Sequence, residues 1–349
     1  MAAARCRRRS GWGAGASPLI SGWTEAHEQL AAELTQFEQV EAVALFPTGF
    51  AANLGTIAAL VGAGDAVYLD RLNHACLIDG ARLSVPGLRS FPHADVDRLE
   101  QILLRDRGRF RRRLIATDGI FSMDGDVAPL ADLADLAERF DAMLLVDEAH
   151  GTGVLGPEGR GAAAACGVAN RVPIRVGTLS KALGSVGGFV AGSKQLVSWL
   201  VNHARTLIYS TPPPAAAAAA ACALQIARSE SWRRESIARG ASWLEGRLSG
   251  APASDDPDTD PSPGRRRLRS DHGDRLLVAR PWNLGGRGAS PDRSRGNSAA
   301  PDEPDGCALE HRGRAPGCAP SPGHGTPSAT LNSRISRQAS RRAVFRHER

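Results

Sequence analysis

The chain has 349 residues, of which 42% are hydrophobic, and a formal net charge of +6. It contains no apolar run of transmembrane length, and its six cysteines are scattered without a C-x-x-C pair. This composition argues against a membrane protein, a zinc-binding domain and a disulfide-stabilised secreted protein. It is typical of a protein of the reducing cytoplasm.

The positive charge lies mostly near the C-terminus, where residues 252–349 hold 17 Arg and 12 Asp+Glu. Acids interleave these arginines and few aromatic residues accompany them, which argues against a nucleic-acid partner. The segment shows neither helical nor strand periodicity. We therefore predict either a disordered tail or the product of a GC-rich gene translated out of frame.

The rest of the chain divides into three parts. Residues 1–40 form an N-terminal segment with a glycine-rich loop, residues 41–230 form the main domain, and residues 231–251 form a helix that leads out of it. The strands predicted in the main domain are 40–46, 66–69, 89–91, 114–117, 142–146, 174–176 and 189–191. Their alternation with amphipathic stretches predicts a doubly wound α/β domain, with a mostly parallel central sheet and helices on both faces.

The turn after the first strand is a candidate phosphate site. Residues 47–54 turn the strand into a helix that reaches about Leu60. The first backbone amides of a helix have no intrahelical partner and bind anions well. We therefore place a phosphate near Gly49 and Phe50, although an ordinary strand–helix turn would look the same by itself.

Two further loops carry polar residues. His74 follows the second strand, where an isolated histidine is most often solvated, so its role depends on its neighbours. Residues 118–126 contain three acids, which could suggest a calcium loop. Their spacing does not match the twelve-residue calcium-binding pattern, and Phe121 and Met123 are apolar. We predict no metal in this loop.

A G-x-G-x-x-G string occupies residues 151–156 and suggests a dinucleotide-binding protein. That motif has to open a helix and be followed about 20 residues later by an acid. Here Pro157 and Gly159 follow, and residues 171–176 contain no acid. A loop is favoured over a Rossmann motif.

Lys181 is the most informative residue in the sequence. It is one of only two lysines among 43 cationic residues, and it follows the strand at 174–176. Only a lysine amine can form a Schiff base with a carbonyl. Asp147 follows the strand at 142–146, and parallel strands would bring both residues to one edge of the sheet. A Schiff-base lysine and a buried carboxylate are what pyridoxal 5'-phosphate (PLP) requires.

Six stretches together resemble the α-oxoamine synthases, PLP-dependent enzymes of the aspartate-aminotransferase fold, known as fold type I. They are FPTGFAAN at 46–53, LNHA at 72–75, TDGIFSMDGD at 117–126, VDEAHGTG at 146–153, TLSKA at 178–182 and LIYST at 207–211. Each stretch is weak alone, but six in this order are highly specific. This family has a C-terminal α/β domain after about residue 250, so we expect that small domain to be missing or replaced by the tail.

The resemblance implies catalytic roles for three residues. Lys181 would form the Schiff base with the cofactor and act as a base, Asp147 would pair with the pyridine nitrogen, and His74 would stack on the ring. It also implies that further residues bind the cofactor. These are His150 and Ser122 near the phenolic oxygen, Gly49, Phe50 and Thr178 at the phosphate, and Thr211, which would reach the phosphate of a partner subunit.

The resemblance implies a decarboxylative condensation of L-alanine with a pimeloyl thioester of coenzyme A or acyl carrier protein, in biotin biosynthesis. It also implies a homodimer with a shared active site. Other activities of the family remain alternatives: glycine C-acetyltransferase, 5-aminolevulinate synthase and serine palmitoyltransferase. A truncated paralogue that binds PLP without turnover is a further alternative.

Overall fold

A computed structural model describes residues 1–84 and 87–249. Its central sheet has the order β1-β7-β6-β5-β4-β2-β3. The strands are β1 (Ala42–Phe46), β2 (Ala66–Asp70), β3 (Gly87–Phe91), β4 (Arg113–Asp118), β5 (Met143–Asp147), β6 (Ile174–Thr178) and β7 (Gly188–Gly192). From β3 to β6 all neighbours are parallel, whereas β7 is antiparallel to both β6 and β1. The predicted mostly parallel α/β sheet is confirmed.

Helices connect the strands. They are α1 (Ala2–Ser10), α2 (Glu25–Glu38), α3 (Gly49–Leu60), α4 (Ala75–Ser84), α5 (Val96–Arg105), α6 (Leu130–Arg139), α7 (Ala162–Ala165), α8 (Lys194–His203), α9 (Arg205–Ile208), α10 (Pro214–Ser229) and α11 (Trp232–Ser249). Shorter helical turns lie at Pro18–Gly22, Pro157–Gly159 and Ala169–Arg171. None of the helices in the described ranges is long and apolar enough to cross a membrane.

Both faces of the sheet are covered, because side chains alternate between faces along each strand. In β2, Tyr68 packs in a core with residues of α5 and α6, whereas Val67 packs in a second core with residues of α3 and α4. A third core joins α2 and α10 to β1 and β7, and it contains Phe37 and Phe189. The strands inside the sheet are therefore buried on both sides, which explains their largely apolar sequences, whereas the edge strand β3 is partly exposed.

The first strand begins at Ala42, two residues later than predicted. Gln39 adopts a left-handed conformation with φ 53° and caps α2, and the backbone amide of Val40 donates to the Thr35 carbonyl. Val40 therefore belongs to the helix end, where its apolar side chain packs against the third core. Apolar character alone could not separate this residue from the strand.

The glycine-rich string at 151–156 forms turns and leads into the 3₁₀ turn Pro157–Gly159. Because no long helix follows it, the loop interpretation is confirmed over the dinucleotide-binding one. The predictions for 252–349, a disordered or frame-shifted tail in place of the small domain, lie outside the described residues.

Candidate active site

Asp147 lies at the carboxyl end of β5, in the middle of the sheet. Its side chain is buried, and Oδ1 accepts the backbone amide of Ala149 at 2.8 Å. Oδ2 accepts Nδ2 of Asn53 at 2.7 Å. Burial raises the pKa of Asp147, whereas these two hydrogen bonds and the positive charge of Lys181 oppose the rise. The site therefore holds a carboxyl group whose ionisation depends on its polar neighbours.

Asn53 is a site residue that sequence reasoning missed. It lies on α3, is 1% exposed, and its Oδ1 is buried without a hydrogen-bond partner. The helix is positioned by Thr48, whose hydroxyl accepts the amide of Ala51 at 3.0 Å. The available signal was a single amide side chain in a helix of otherwise small and apolar residues, since a buried polar group requires a partner.

Lys181 lies in the loop between β6 and β7, and its Nζ is 2.7 Å from Nε2 of His150. The loop is closed where the amide of Leu179 donates to the Gly187 carbonyl at 3.0 Å. Burial lowers the pKa of His150, and the positive charge of Lys181 lowers it further. A neutral imidazole therefore accepts a hydrogen bond from the lysine ammonium group.

His74 lies between β2 and α4, with an exposed ring. Its backbone amide donates to Oδ2 of Asp118 at 2.9 Å, and its Nδ1 accepts the amide of Cys76 at 3.2 Å. The thiol sulfur of Cys76 is 2.9 Å from the same nitrogen. The His74 ring is thus held through Nδ1, and its face and its Nε2 atom are left available for contact with a ligand.

Asp118 ends β4 next to Asp147, its register partner on β5. Burial raises the pKa of Asp118 to about 8, with a further contribution from the negative charge of Asp147. Asp118 belongs to one of the six motif stretches, but no role was predicted for it. The structure shows that it fixes the backbone of His74.

The start of α3 lies against the end of β6. A Cβ atom added to Gly49 would come within 3.1 Å of the Thr178 side chain, so a glycine lets these two segments approach. The hydroxyl of Thr178 donates to the Gly187 carbonyl and also contacts Ser180 Oγ at 2.7 Å. The amides of Gly49 and Phe50 precede the Ala51 and Ala52 amides, which donate to Thr48. The first amides of a helix have no intrahelical partner, which is the arrangement that binds anions.

The aminotransferase class I and II family profile matches residues 11–254. The chain belongs to that family. The match covers the whole sheet and every side chain described above, so the site can be compared with those of other members.

Three proteins of known activity are similar to this chain. An 8-amino-7-oxononanoate synthase from Citrifermentans bemidjiense is 53% identical over 201 residues, which are 58% of this chain and 51% of the relative. The crystal structure of 8-amino-7-oxononanoate synthase from Francisella tularensis is 28% identical, with a TM-score of 0.60, and the match covers 71% of this chain and 70% of that one. A serine palmitoyltransferase from S. paucimobilis, solved with a bound PLP–myriocin aldimine, is 32% identical with a TM-score of 0.68 over 71% of this chain and 62% of that one.

These similarities confirm the resemblance to α-oxoamine synthases and the fold type I architecture. The chain spans about half the length of the first curated relative that it matches.

Two of the predicted site residues are not joined to the others by hydrogen bonds in the part of the chain that the structure describes. Ser122 and Thr211 are both exposed, and within the described ranges neither side chain has a hydrogen bond. Ser122 lies in the loop after β4, and Thr211 lies between α9 and α10. Their roles as cofactor contacts stay predictions.

The residues at this edge of the sheet fit a phosphorylated pyridine aldehyde. The edge offers an amine, a buried carboxyl group, two imidazoles and a helix start with unpaired amides, and the glycine at that helix start keeps the backbone close to Thr178. An aldehyde needs the amine, a pyridine nitrogen needs the carboxylate, and a phosphate needs the amides. Each chemical part of PLP therefore has a matching group.

Proposed function

We propose that this chain carries the cofactor site of a PLP-dependent acyltransferase that acts as an 8-amino-7-oxononanoate synthase in biotin biosynthesis. The observation that carries the proposal is the position of Lys181 beside His150 at the sheet edge where Asp147 is buried. The identity of 53% with a protein of that name supports the choice of activity.

Lys181 would bind the aldehyde of the cofactor, and Asp147 would pair with its pyridine nitrogen. PLP, when bound, supplies an electron sink for the carbanion formed at the amino-acid Cα. Asp147 has to be ionised to hold a proton on a pyridine nitrogen. A cation placed opposite it lowers its pKa, adding to the hydrogen bonds from Asn53 and Ala149.

Lys181 is the base for the amino-acid substrate. Its Nζ removes the Cα proton once the amine is unprotonated, and the neutral Nε2 of His150 orients that amine by accepting a hydrogen bond. His74 presents its exposed ring face from the other side of the edge and is held in place through Nδ1. Together, these groups direct the removal of the proton to the Cα of the amino acid.

The substrates are L-alanine and a pimeloyl thioester. A bond forms between the alanine Cα and the thioester carbonyl carbon as the C–S bond breaks, and the thiolate leaves and takes up a proton. The bond from Cα to the carboxyl group then breaks, CO2 leaves, and Cα takes up a proton in its place. The product is 8-amino-7-oxononanoate. The proposed assembly is a homodimer in which Thr211 reaches the partner subunit's phosphate site, and the exposed position of Thr211 supports this.

The test is a visible absorption spectrum of the full chain with added PLP. We expect a Schiff-base band that shifts when L-alanine is added and is absent from Lys181→Ala. Lys194→Ala removes the other lysine of the chain, at the start of α8, and keeps the band. The absence of a band in wild-type protein that is folded by circular dichroism would refute the cofactor site.

Activity assays separate the alternatives. Alanine, glycine and serine are each paired with pimeloyl-, acetyl- and palmitoyl-coenzyme A, and CO2 and free thiol are measured. We expect turnover with alanine and the pimeloyl thioester. Turnover with glycine and acetyl-coenzyme A alone would identify a different α-oxoamine synthase. PLP binding without turnover of any pair would identify an inactive paralogue.

A further inference from the structure

A histidine outside the predicted site bridges two carboxylates. His93 lies two residues after β3, and its Nδ1 is 3.1 Å from Oδ1 of Asp70. Its other ring nitrogen, Nε2, is 2.9 Å from Oδ2 of Asp126. Asp70 ends β2, and Asp126 belongs to the loop that follows β4. The imidazole therefore joins three segments at the carboxyl edge of the sheet.

Asp70 is the fixed end of this bridge. Its side chain is 2% exposed, and it accepts the backbone amides of Leu72 at 2.8 Å and Ala94 at 2.7 Å. Ala94 has a φ of 53°, a left-handed conformation that is unfavourable for alanine. The hydrogen bond to Asp70 compensates for this strain and holds the backbone next to His93, so the ring has a defined position.

Asp126 forms the other end of the bridge and belongs to the loop 119–127, which carries Ser122. Within it the amide of Phe121 donates to the Asp126 carbonyl at 3.0 Å, and the amide of Gly125 donates to the Phe121 carbonyl at 2.8 Å. The Phe121 ring meets the His93 ring edge to face, with centroids 4.4 Å apart. His93 therefore contacts this loop through both a charge and a ring.

The bridge requires two protons on the imidazole. Each ring nitrogen faces a carboxylate, which only accepts hydrogen bonds, so both nitrogens must donate. The two aspartates contact opposite sides of the ring and cannot converge on one metal ion. Among the described residues no group of acids, histidines or cysteines has the arrangement of a metal site.

We propose that doubly protonated His93 is a positioning residue that fixes the loop 119–127 and thereby holds Ser122 at the cofactor site. The inference rests on the proposed function, because the cofactor contact of Ser122 is a prediction that requires PLP at this site. His93 does not act on the substrate. It sets the position of a loop by charge-assisted hydrogen bonds to Asp70 and Asp126.

The charge environment supports the protonated form. Partial burial lowers the pKa of His93, but the carboxylates of Asp70 and Asp126 outweigh burial and raise it. Asp95, two residues after His93, faces the start of α5, where its Oδ1 accepts the amide of Arg98. Because the pKa is raised, the bridge is complete at low pH and is lost as pH rises through that pKa.

The test is amide hydrogen exchange of the loop 119–127 in the full chain without cofactor. The exchange is measured across a pH series and corrected for the intrinsic chemical rate. In wild type we expect protection that falls as His93 loses its proton. His93→Gln should exchange roughly tenfold faster at low pH and show no pH transition. His203→Gln, on the exposed surface of α8, is the matched control and should behave as wild type.

A second variant tests the charge itself. Asp126→Asn keeps an acceptor but removes the negative charge, so the pH transition of the loop should move to lower pH. If His93 only filled space in the fold, Asp126→Asn would leave the pH of that transition unchanged. Equal loop protection in wild type and a folded His93→Gln, or an unmoved transition in Asp126→Asn, would overturn the bridge.

PLP titration separates this inference from the proposed function. We expect His93→Gln to bind PLP roughly 2- to 10-fold more weakly than wild type, with Lys181 still forming the absorption band. Unchanged affinity in the variant would overturn the positioning role and leave the proposed function intact. Failure of the wild-type protein to bind PLP would overturn both, whatever the exchange data show.

Discussion

Nδ2 of Asn53 donates a 2.7 Å hydrogen bond to Oδ2 of Asp147, and this contact joins the helix after the first strand to the centre of the sheet. Both side chains are buried, at 1% and 5% exposure. The amide stabilises the charged form of a carboxyl group whose burial favours the neutral form. Asn53 therefore tunes the acid that the proposed cofactor needs.

Replacement of Asn53 by alanine should weaken PLP binding. Asp147 loses one charge-assisted hydrogen bond, its pKa rises further, and its ionised form becomes less populated. Hydrogen bonds to charged groups contribute about 1.5–3 kcal/mol, which corresponds to a roughly 10- to 100-fold higher Kd for PLP. The measurement is an absorbance titration with PLP. Asn202→Ala, on exposed α8, should bind as wild type, and equal affinities in both variants would contradict the role.

Cys76 should be unreactive in the folded protein. Burial raises the pKa of its thiol to about 12, and the negative charges of Asp147 and Asp118 add to the effect. Alkylation requires the thiolate, so iodoacetamide at pH 8 should leave the Cys76 peptide unmodified. Exposed Cys222, on α10, should be alkylated under the same conditions. Peptide mass mapping reads both sites, and rapid alkylation of Cys76 without denaturant would disprove the prediction.

Stability should fall as pH rises from about 5 to 8, in part because of Glu38. Its carboxyl group is buried at the end of α2 with no hydrogen-bond partner for either oxygen, and burial raises its pKa to about 8 despite Arg175 at 3.6 Å. The folded protein therefore keeps a proton that the unfolded chain releases above its ordinary pKa. The resulting loss of stability is complete above pH 8 and absent below pH 4.

Glu38→Gln should flatten this dependence. Arg175 keeps its 2.9 Å hydrogen bond to the Glu38 backbone carbonyl, so the variant retains one partner for the buried guanidinium group. We expect Tm to decline less between pH 5 and 8 than in wild type. Glu25→Gln, on the exposed side of the same helix, should keep the wild-type slope. A steeper decline in Glu38→Gln would show that the ionised pair stabilises the fold.

Gly177→Ala should destabilise the sheet beside Lys181. The added Cβ on β6 would lie 2.2 Å from the Phe189 ring of β7, and that ring is buried. Overpacking of this kind costs about 1–3 kcal/mol. Gly62→Ala is the control, since its Cβ would meet no atom within 4 Å. Urea denaturation measures both, and equal midpoints for the two variants would contradict the packing argument.

The order of strands and helices was predictable because apolar runs and turns are local signals. Asp147 and Lys181 were found because Asp147 ends β5 and Lys181 follows β6, its parallel neighbour in the sheet. The reversed direction of β7 was not predicted, since a short buried strand has the same apolar character whether its neighbours are parallel or antiparallel. Only the tertiary pairing Thr178↔Gly188 shows that β6 and β7 are antiparallel neighbours.

Residues that act through long-range hydrogen bonds were the ones missed. Asn53 and Asp147 are 94 residues apart in sequence, and no local pattern links them. His93 was missed for the same reason, because its partners Asp70 and Asp126 lie on other segments. The helix Ala2–Ser10 was missed because its run of arginines resembles a solvated coil.

The pairing of β1 with β7 has a consequence for synthesis on the ribosome. Ala42 pairs with Gly192, so β1, the first strand to leave the ribosome, has no partner until β7 is synthesised about 150 residues later. The strands from β2 to β6 can assemble meanwhile, while Val43 and Leu45 stay without their final cover. The helix α3 follows this late-pairing strand directly, and until β7 is made the first strand keeps an unpaired edge of the kind that chaperones protect.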